Sequence, residues 1–167
     1  FGTLPNGMRN AIQRHENPKG TASVRFANEV GKREEGEGEI NAAHFVEHMV
    51  FKGTTSRSAR DLTFAIENVG GQINACTSED QTTYEGRADA DQLATLASVI
   101  SDMVWNPSFP DAEIELEREV IREEITLYRE SPSDHIGDLI SKALWGDHPL
   151  GRSILGTRDT LAGFGSE

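Results

Sequence analysis

His44-Phe45-Val46-Glu47-His48 sets two imidazoles and a carboxylate at helical spacing inside an apolar run. On a helix of about 3.6 residues per turn, positions i and i+4 stand one above the other, so His44 and His48 face a single metal ion together. Glu47 falls about 60° round from His44, on the side where a base must stand to reach water on that ion. Chance alone supplies such a pattern in roughly one chain of this length in a few hundred. Ile40, Ala42, Ala43, Phe45, Val46, Met49, Val50 and Phe51 surround the three polar groups, which predicts a helix buried on every side. Polar groups buried without partners are costly, and a metal ion supplies the partner that ordinary core histidines would lack.

A catalytic zinc site takes three protein ligands and leaves one position open, so a third ligand is sought elsewhere. The acidic stretch 111–130 is the natural source. Read as a helix, it gathers Ile114, Glu117, Val120, Ile121, Glu124, Ile125 and Tyr128 on one face. Glu115, Arg118, Glu119, Arg122 and Glu123 fall outside it and read as a solvated face. Glu117 and Glu124 lie on the apolar stripe, where carboxylates need a cation or shared hydrogen bonds. Either one is a candidate third ligand.

The remaining periodicity predicts an α+β chain. Strands are expected at 8–13 and 21–30, the second with Ala22, Val24 and Phe26 turned inward. Residues 31–38 form a charged, glycine-rich connection, too short and too acidic for a phosphate loop. Helices are expected at 39–52 and at 58–69, the latter stopped by Gly70-Gly71. Gln72 to Thr77 and Thr82 to Gly86 read as a hairpin around the polar turn Ser78-Glu79-Asp80-Gln81. An edge strand there accepts an extended peptide by main-chain pairing. Further helices are expected at 91–103, 111–130 and 133–145, with Ser131-Pro132 as the break and Trp105 and Trp145 as core anchors. His15, His135 and His148 lack partners at useful spacing and read as surface or loop residues.

With 167 residues and 36% hydrophobic content the chain has room for one core. A net charge of −12 argues against nucleic acid and anionic membranes as partners. Cys76 is the only cysteine, so no intrachain disulfide forms. No apolar run reaches the ~18–20 residues of a membrane span and no signal peptide is evident, so a soluble protein is expected. Bacterial cytoplasm, periplasm and mitochondrial matrix all fit that composition.

The inverted motif resembles that of the pitrilysin/insulinase metallopeptidases, the family that includes the mitochondrial processing peptidases. The likeness extends beyond five residues. His44 to Thr54, ending Phe51-Lys52-Gly53-Thr54, is similar to the zinc helix and following turn of a processing-peptidase-like member. Leu4-Pro5-Asn6-Gly7-Met8-Arg9 resembles the opening strand and turn, although Asn10 stands where many relatives carry an apolar residue. Gly71-Gln72-Ile73-Asn74-Ala75-Cys76-Thr77 resembles the active-site edge strand, 117–125 the third-ligand helix, and 148–157 the loop beyond it.

That resemblance implies an antiparallel sheet packed against helices. It makes residues 1–167 the zinc-bearing N-terminal catalytic domain of a metalloendopeptidase, truncated before its last strands and without its second homologous half. His44, His48 and Glu124 become the ligands of a Zn2+ cofactor, and Glu47 the base. Glu117 becomes an assisting carboxylate, and Asn74 and Ala75 backbone contacts to substrate. The implied partners are a peptide or unfolded protein segment and a second homologous domain or subunit. The competing expectation is a non-catalytic or partner-dependent subunit that retains the fold.

Overall fold

The computed structural model describes residues 1–16 and 20–165. Strands β1 (Gly2–Thr3) and β2 (Arg9–Asn10) form a short antiparallel pair around the turn at Asn6-Gly7. The strand expected over 8–13 is thus only two residues long. Its neighbours are largely exposed, with no apolar face beneath them to extend the pairing.

A three-stranded antiparallel sheet carries the rest. Its strands are β3 (Thr21–Asn28), β4 (Gln72–Thr77) and β5 (Thr82–Asp89), in the order β3-β5-β4. In β3 the alternation places Ala22, Val24 and Phe26 on the half-buried face, as a period of two demands. β5 is central and the most buried, pairing Tyr84 with Phe26 on one side and with Ala75 on the other. β4 is the outer strand of the sheet among the described residues.

Helix α2 (Ala59–Glu67) opens with a capping box: Asp61 N–H donates to Ser58 Oγ at 3.2 Å and Ser58 N–H to Asp61 Oδ2 at 3.1 Å. It packs beside α3 (Leu93–Trp105), which buries Leu96, Val99, Ile100 and Met103 at the i, i+3, i+4, i+7 spacing of one helical face. α3 lies directly on β5 at Gly86. A Cβ there would come within 2.6 Å of Leu96 Cδ1 and force that side chain to shift, so glycine lets the helix lie this close. These elements and Tyr84, Leu62 and Ile66 form the first core.

The second core lies between α1 (Ala42–Met49) and α4 (Asp111–Glu130), from Phe45, Met49, Ile114, Ile121 and Ile125, and is closed by Leu155 and Leu161. Ser131 leaves helical geometry, and Pro132 opens α5 (Pro132–Trp145) at a position where its missing N–H costs nothing. A short α6 (Arg158–Leu161) follows.

Four expectations need correction. α1 is not buried all round: Val46 is 42% exposed, because α4 and β4 cover only part of its surface. On α4, Val120 is exposed while Arg118 is buried. Arg118 donates to the carbonyls of Leu161 and Phe164, so the segment after α6 turns a nominally solvated cation into a buried clamp. Trp105 and Trp145 are 59% and 51% exposed, not core anchors. Trp105 instead lies edge-on to Phe26, with ring centroids 5.5 Å apart.

Candidate metal centre and peptide cleft

The motif helix α1 is seated by groups distant in sequence. Asn41, before its first turn, has a left-handed backbone (φ 79°) and caps nothing with its own side chain. Glu35 caps the helix instead, accepting from Asn41 N–H at 3.0 Å and Ala43 N–H at 2.9 Å. The Asn41 side chain donates to the carbonyl of Leu155, beside Gly156, whose φ of 61° and missing Cβ let the loop approach. Arg152 donates to the Glu35 carbonyl at 3.0 Å, and the buried Lys32 donates to the Arg152 carbonyl at 3.1 Å. The charged connection 31–38 and the loop 148–157 are therefore a clamp on the start of the motif helix.

So held, α1 brings its two histidines face to face. His44 Nε2 and His48 Nε2 are 3.2 Å apart. Glu124 reaches both from α4, its Oε2 lying 3.7 Å from each nitrogen. His44, His48 and Glu124 are the set among the described residues whose ligand atoms converge in this way. Four ligands held tetrahedrally at about 2.05 Å stand roughly 3.3 Å apart, so these separations fit zinc closely. Glu124 Oε2 and His44 Nδ1 are buried and have no hydrogen-bond partner among the described residues. An acceptor left orphaned beside two imidazole nitrogens fits a cation better than it fits a structural hydrogen-bond network.

The protonation state of His44 agrees with that role. Burial, then the neighbouring His48, pushes His44 down to about 4, so it is neutral at pH 7 as a ligating imidazole must be. Burial raises Glu124 above the usual carboxylate range, and Glu47 and Glu117 raise it further, against the opposing influence of His48. Glu117 behaves differently. Burial alone would raise it, but hydrogen bonds and charge from Lys52 and His48 bring it below its ordinary value. As an ionised carboxylate it only accepts, so His48 Nδ1–H donates to Glu117 Oε1, at 2.7 Å. That fixes the tautomer in which His48 Nε2 carries a lone pair toward His44.

Glu47 stands beside this cluster with Thr77, the last residue of β4, donating its hydroxyl to Glu47 Oε2 at 2.5 Å. Two clefts meet here. One of about 440 Å³ is lined by His44, Glu47, Ala75, Thr77, Glu124 and Tyr128 among others. The other, of about 300 Å³, is lined by Glu47, His48, Lys52, Asn74, Ala75 and Glu117 among others. Glu47 and Ala75 border both, so the outer strand runs past the base from one cleft into the next. A larger hollow of about 600 Å³ between α2 and the sheet holds none of the candidate ligands. Position beside reactive groups, not size, marks the site.

Thus the candidate residues His44, Glu47, His48, Asn74, Ala75, Glu117 and Glu124 are all brought together. Sequence reasoning missed Thr77, Lys52 and Glu35. The only cue for Lys52 is its position four residues after His48, which stacks it on the same side of a continuing helical turn.

Residues 11–158 match the family model described as insulinase, peptidase family M16. The chain belongs to the insulinase family of peptidases. An uncharacterized zinc protease of Mycobacterium leprae is 39% identical over 160 residues, which cover 96% of this chain and 36% of that protein. The crystal structure of a protease from Helicobacter pylori superposes with a TM-score of 0.92 at 26% identity, covering 99% of this chain and 40% of that one. The periplasmic protease PqqL of Escherichia coli matches with a TM-score of 0.87 at 28% identity, covering 98% of this chain but 19% of that one. The chain thus spans well under half the length of these insulinase-family relatives. A domain from Pseudomonas fluorescens described as inactive shares the fold at a TM-score of 0.80 and 14% identity, so the family fold alone does not carry activity. No helix among the described residues is long and apolar enough to cross a membrane.

Proposed function

We propose that residues 1–167 form the zinc-bearing N-terminal catalytic domain of a metalloendopeptidase that hydrolyses peptides or unfolded polypeptide segments. The observation that carries this reading is the convergence of His44 Nε2, His48 Nε2 and Glu124 Oε2 beside the carboxylate of Glu47. The zinc-protease names of relatives support the same metal.

His44, His48 and Glu124 would hold the ion. Zinc in such a set makes water nucleophilic at neutral pH and polarises the carbonyl of a peptide bond. Glu47 takes the proton of the attacking water and returns it to the leaving amine, general acid–base work worth about 10²–10⁴ in rate. Thr77 ties down Oε2 of that carboxylate and so aims the other oxygen. Glu117 keeps His48 in its ligating tautomer. Asn74 and Ala75, on the outer strand where the two clefts meet, pair by main chain with an extended substrate, which confers register with little sequence preference. A second homologous domain or subunit closes over that strand in the working enzyme.

The second reading is a non-catalytic or partner-dependent subunit. The inactive Pseudomonas domain of the same fold favours it, and the intact ligand and base set here weighs against it. Elemental analysis of the intact protein, wild type and Glu124→Gln, is paired with cleavage of a quenched peptide by the wild type. About one zinc per chain, lowered in the variant, with peptide cleavage, is the expected result. Folded, unchelated wild type without metal would sink the peptidase reading.

A further inference from the structure

Glu117 divides its two oxygens between two partners on the α1 side. Oε1 accepts from His48 Nδ1 at 2.7 Å, and Oε2 faces Lys52 Nζ at 2.5 Å. The carboxylate side chain is only 6% exposed. Lys52 closes the single 3₁₀ turn Val50–Lys52 that extends α1, one helical repeat beyond His48, so both groups approach Glu117 from one side. A carboxylate this buried that loses one of its two partners is free to turn toward other contacts, and turning releases the imidazole.

We propose that Lys52 is a positioning residue for the metal-binding nitrogen of His48, acting only through Glu117. The inference rests on the metal reading of His44, His48 and Glu124. Lys52 is not among the converging ligands: it holds Oε2, which keeps Oε1 on Nδ1, which keeps Nε2 directed at the centre. Substitution of such supporting groups lowers metal affinity about 10–100-fold in comparable sites.

The sign of the effect separates this role from simple electrostatics. An ammonium near a dication repels it, so removing the charge alone would tighten zinc binding. Loss of positioning weakens it. Zinc affinity is measured by competition with a chromophoric chelator on the intact protein, with the thermal midpoint of each metal-free form recorded alongside. Lys52→Met is expected to bind zinc about 10–100-fold more weakly, and Lys52→Arg to stay within about threefold of wild type. Equal or tighter binding by folded Lys52→Met overturns the proposal.

Glu117→Gln keeps the shape of the carboxylate without its charge and covers the case in which Lys52→Met fails to fold. If Lys52 acts through Glu117, Glu117→Gln and the double variant with Lys52→Met bind zinc with the same affinity. A further loss in the double variant overturns the chain of contacts. A wild type that binds no zinc, with no change on His44→Ala, overturns the metal reading itself. That outcome is distinct from a normal wild type with an indifferent Lys52.

Discussion

Two carboxylate clusters flank the motif helix and its following turn, and they are built on opposite terms. Asp102, on α3, is surrounded by donors: Thr54 Oγ1 at 2.7 Å, Ser56 Oγ at 2.9 Å, Asn106 Nδ2 at 3.0 Å, and the Arg57 guanidinium. Each donates, and the carboxylate accepts from all of them. Around Glu124 the arrangement is reversed, with lone pairs from His44, His48 and a carboxylate oxygen converging and no donor among the described residues to satisfy that oxygen. A saturated acceptor pins one loop to a helix. Converging unsatisfied acceptors ask for a cation. The balance of donors and acceptors sets the two clusters apart.

The largest effect expected from breaking the comparison falls on chemistry. Glu47→Gln, measured on the intact protein with a quenched peptide, is expected to lower kcat by about 10²–10⁴ while zinc content stays at the wild-type level. Substantial turnover in the zinc-loaded variant would remove Glu47 from the base role. Asp102→Ala is expected to do the converse. It strands Thr54, Ser56 and Arg57 together and is expected to cost about 2 kcal/mol of stability, roughly thirtyfold in the folding equilibrium, with zinc affinity unchanged. Urea unfolding and chelator competition read the two halves of that statement. A weakened metal site in Asp102→Ala would mean that the clusters are coupled and the contrast between them is false.

How much of this was legible in sequence follows from the range of each interaction. His44, Glu47 and His48 were readable because one helical turn brings them together, and α4 was bounded correctly because its stop is local, at Ser131-Pro132. Helical periodicity put Glu117 and Glu124 on one face but could not say which carboxylate meets which nitrogen. The answer depends on the crossing of α1 and α4, where His48 and Glu117 meet across 69 residues. Arg118 was misplaced for the same reason: the carbonyls it binds belong to a segment 43 and 46 residues further on. The tryptophans were misjudged because large apolar side chains were assigned inward by type. Thr77 read only as a strand residue, since nothing local marks a hydroxyl that meets its carboxylate across the fold.

Thr77 sharpens the comparison, because it brings a donor to Glu47 at the edge of the acceptor-rich cluster. Its hydroxyl connects the strand proposed to bind the peptide to the proposed base. Thr77→Val, which keeps shape and removes the donor, is expected to lower kcat about tenfold with KM and zinc affinity little changed. Thr77→Ser is expected to restore most of the rate. If Thr77→Val raises KM alone, the residue belongs to the strand's substrate contacts and not to the alignment of Glu47.

The smallest effect is a pH dependence confined to the saturated cluster. Hydrogen bonding by Thr54, ahead of contributions from Asn106, Ser56 and Arg57, outweighs burial and holds Asp102 well below the usual carboxylate range. A carboxylate depressed in the folded state contributes stability that is complete above its unfolded pKa of about 3.9. That contribution is lost as pH falls from there through the lower folded value, because the unfolded chain takes up the proton first. Asp102→Asn lacks the titration while keeping the size of the side chain. The stability gap between wild type and Asp102→Asn is therefore expected to be constant from pH 7 to 5 and to narrow below about pH 4, read by urea unfolding at each pH. A gap that stays constant through pH 3 would mean that Asp102 is held by shape and not by charge. Its donors would then be incidental, and the contrast with Glu124 would reduce to burial.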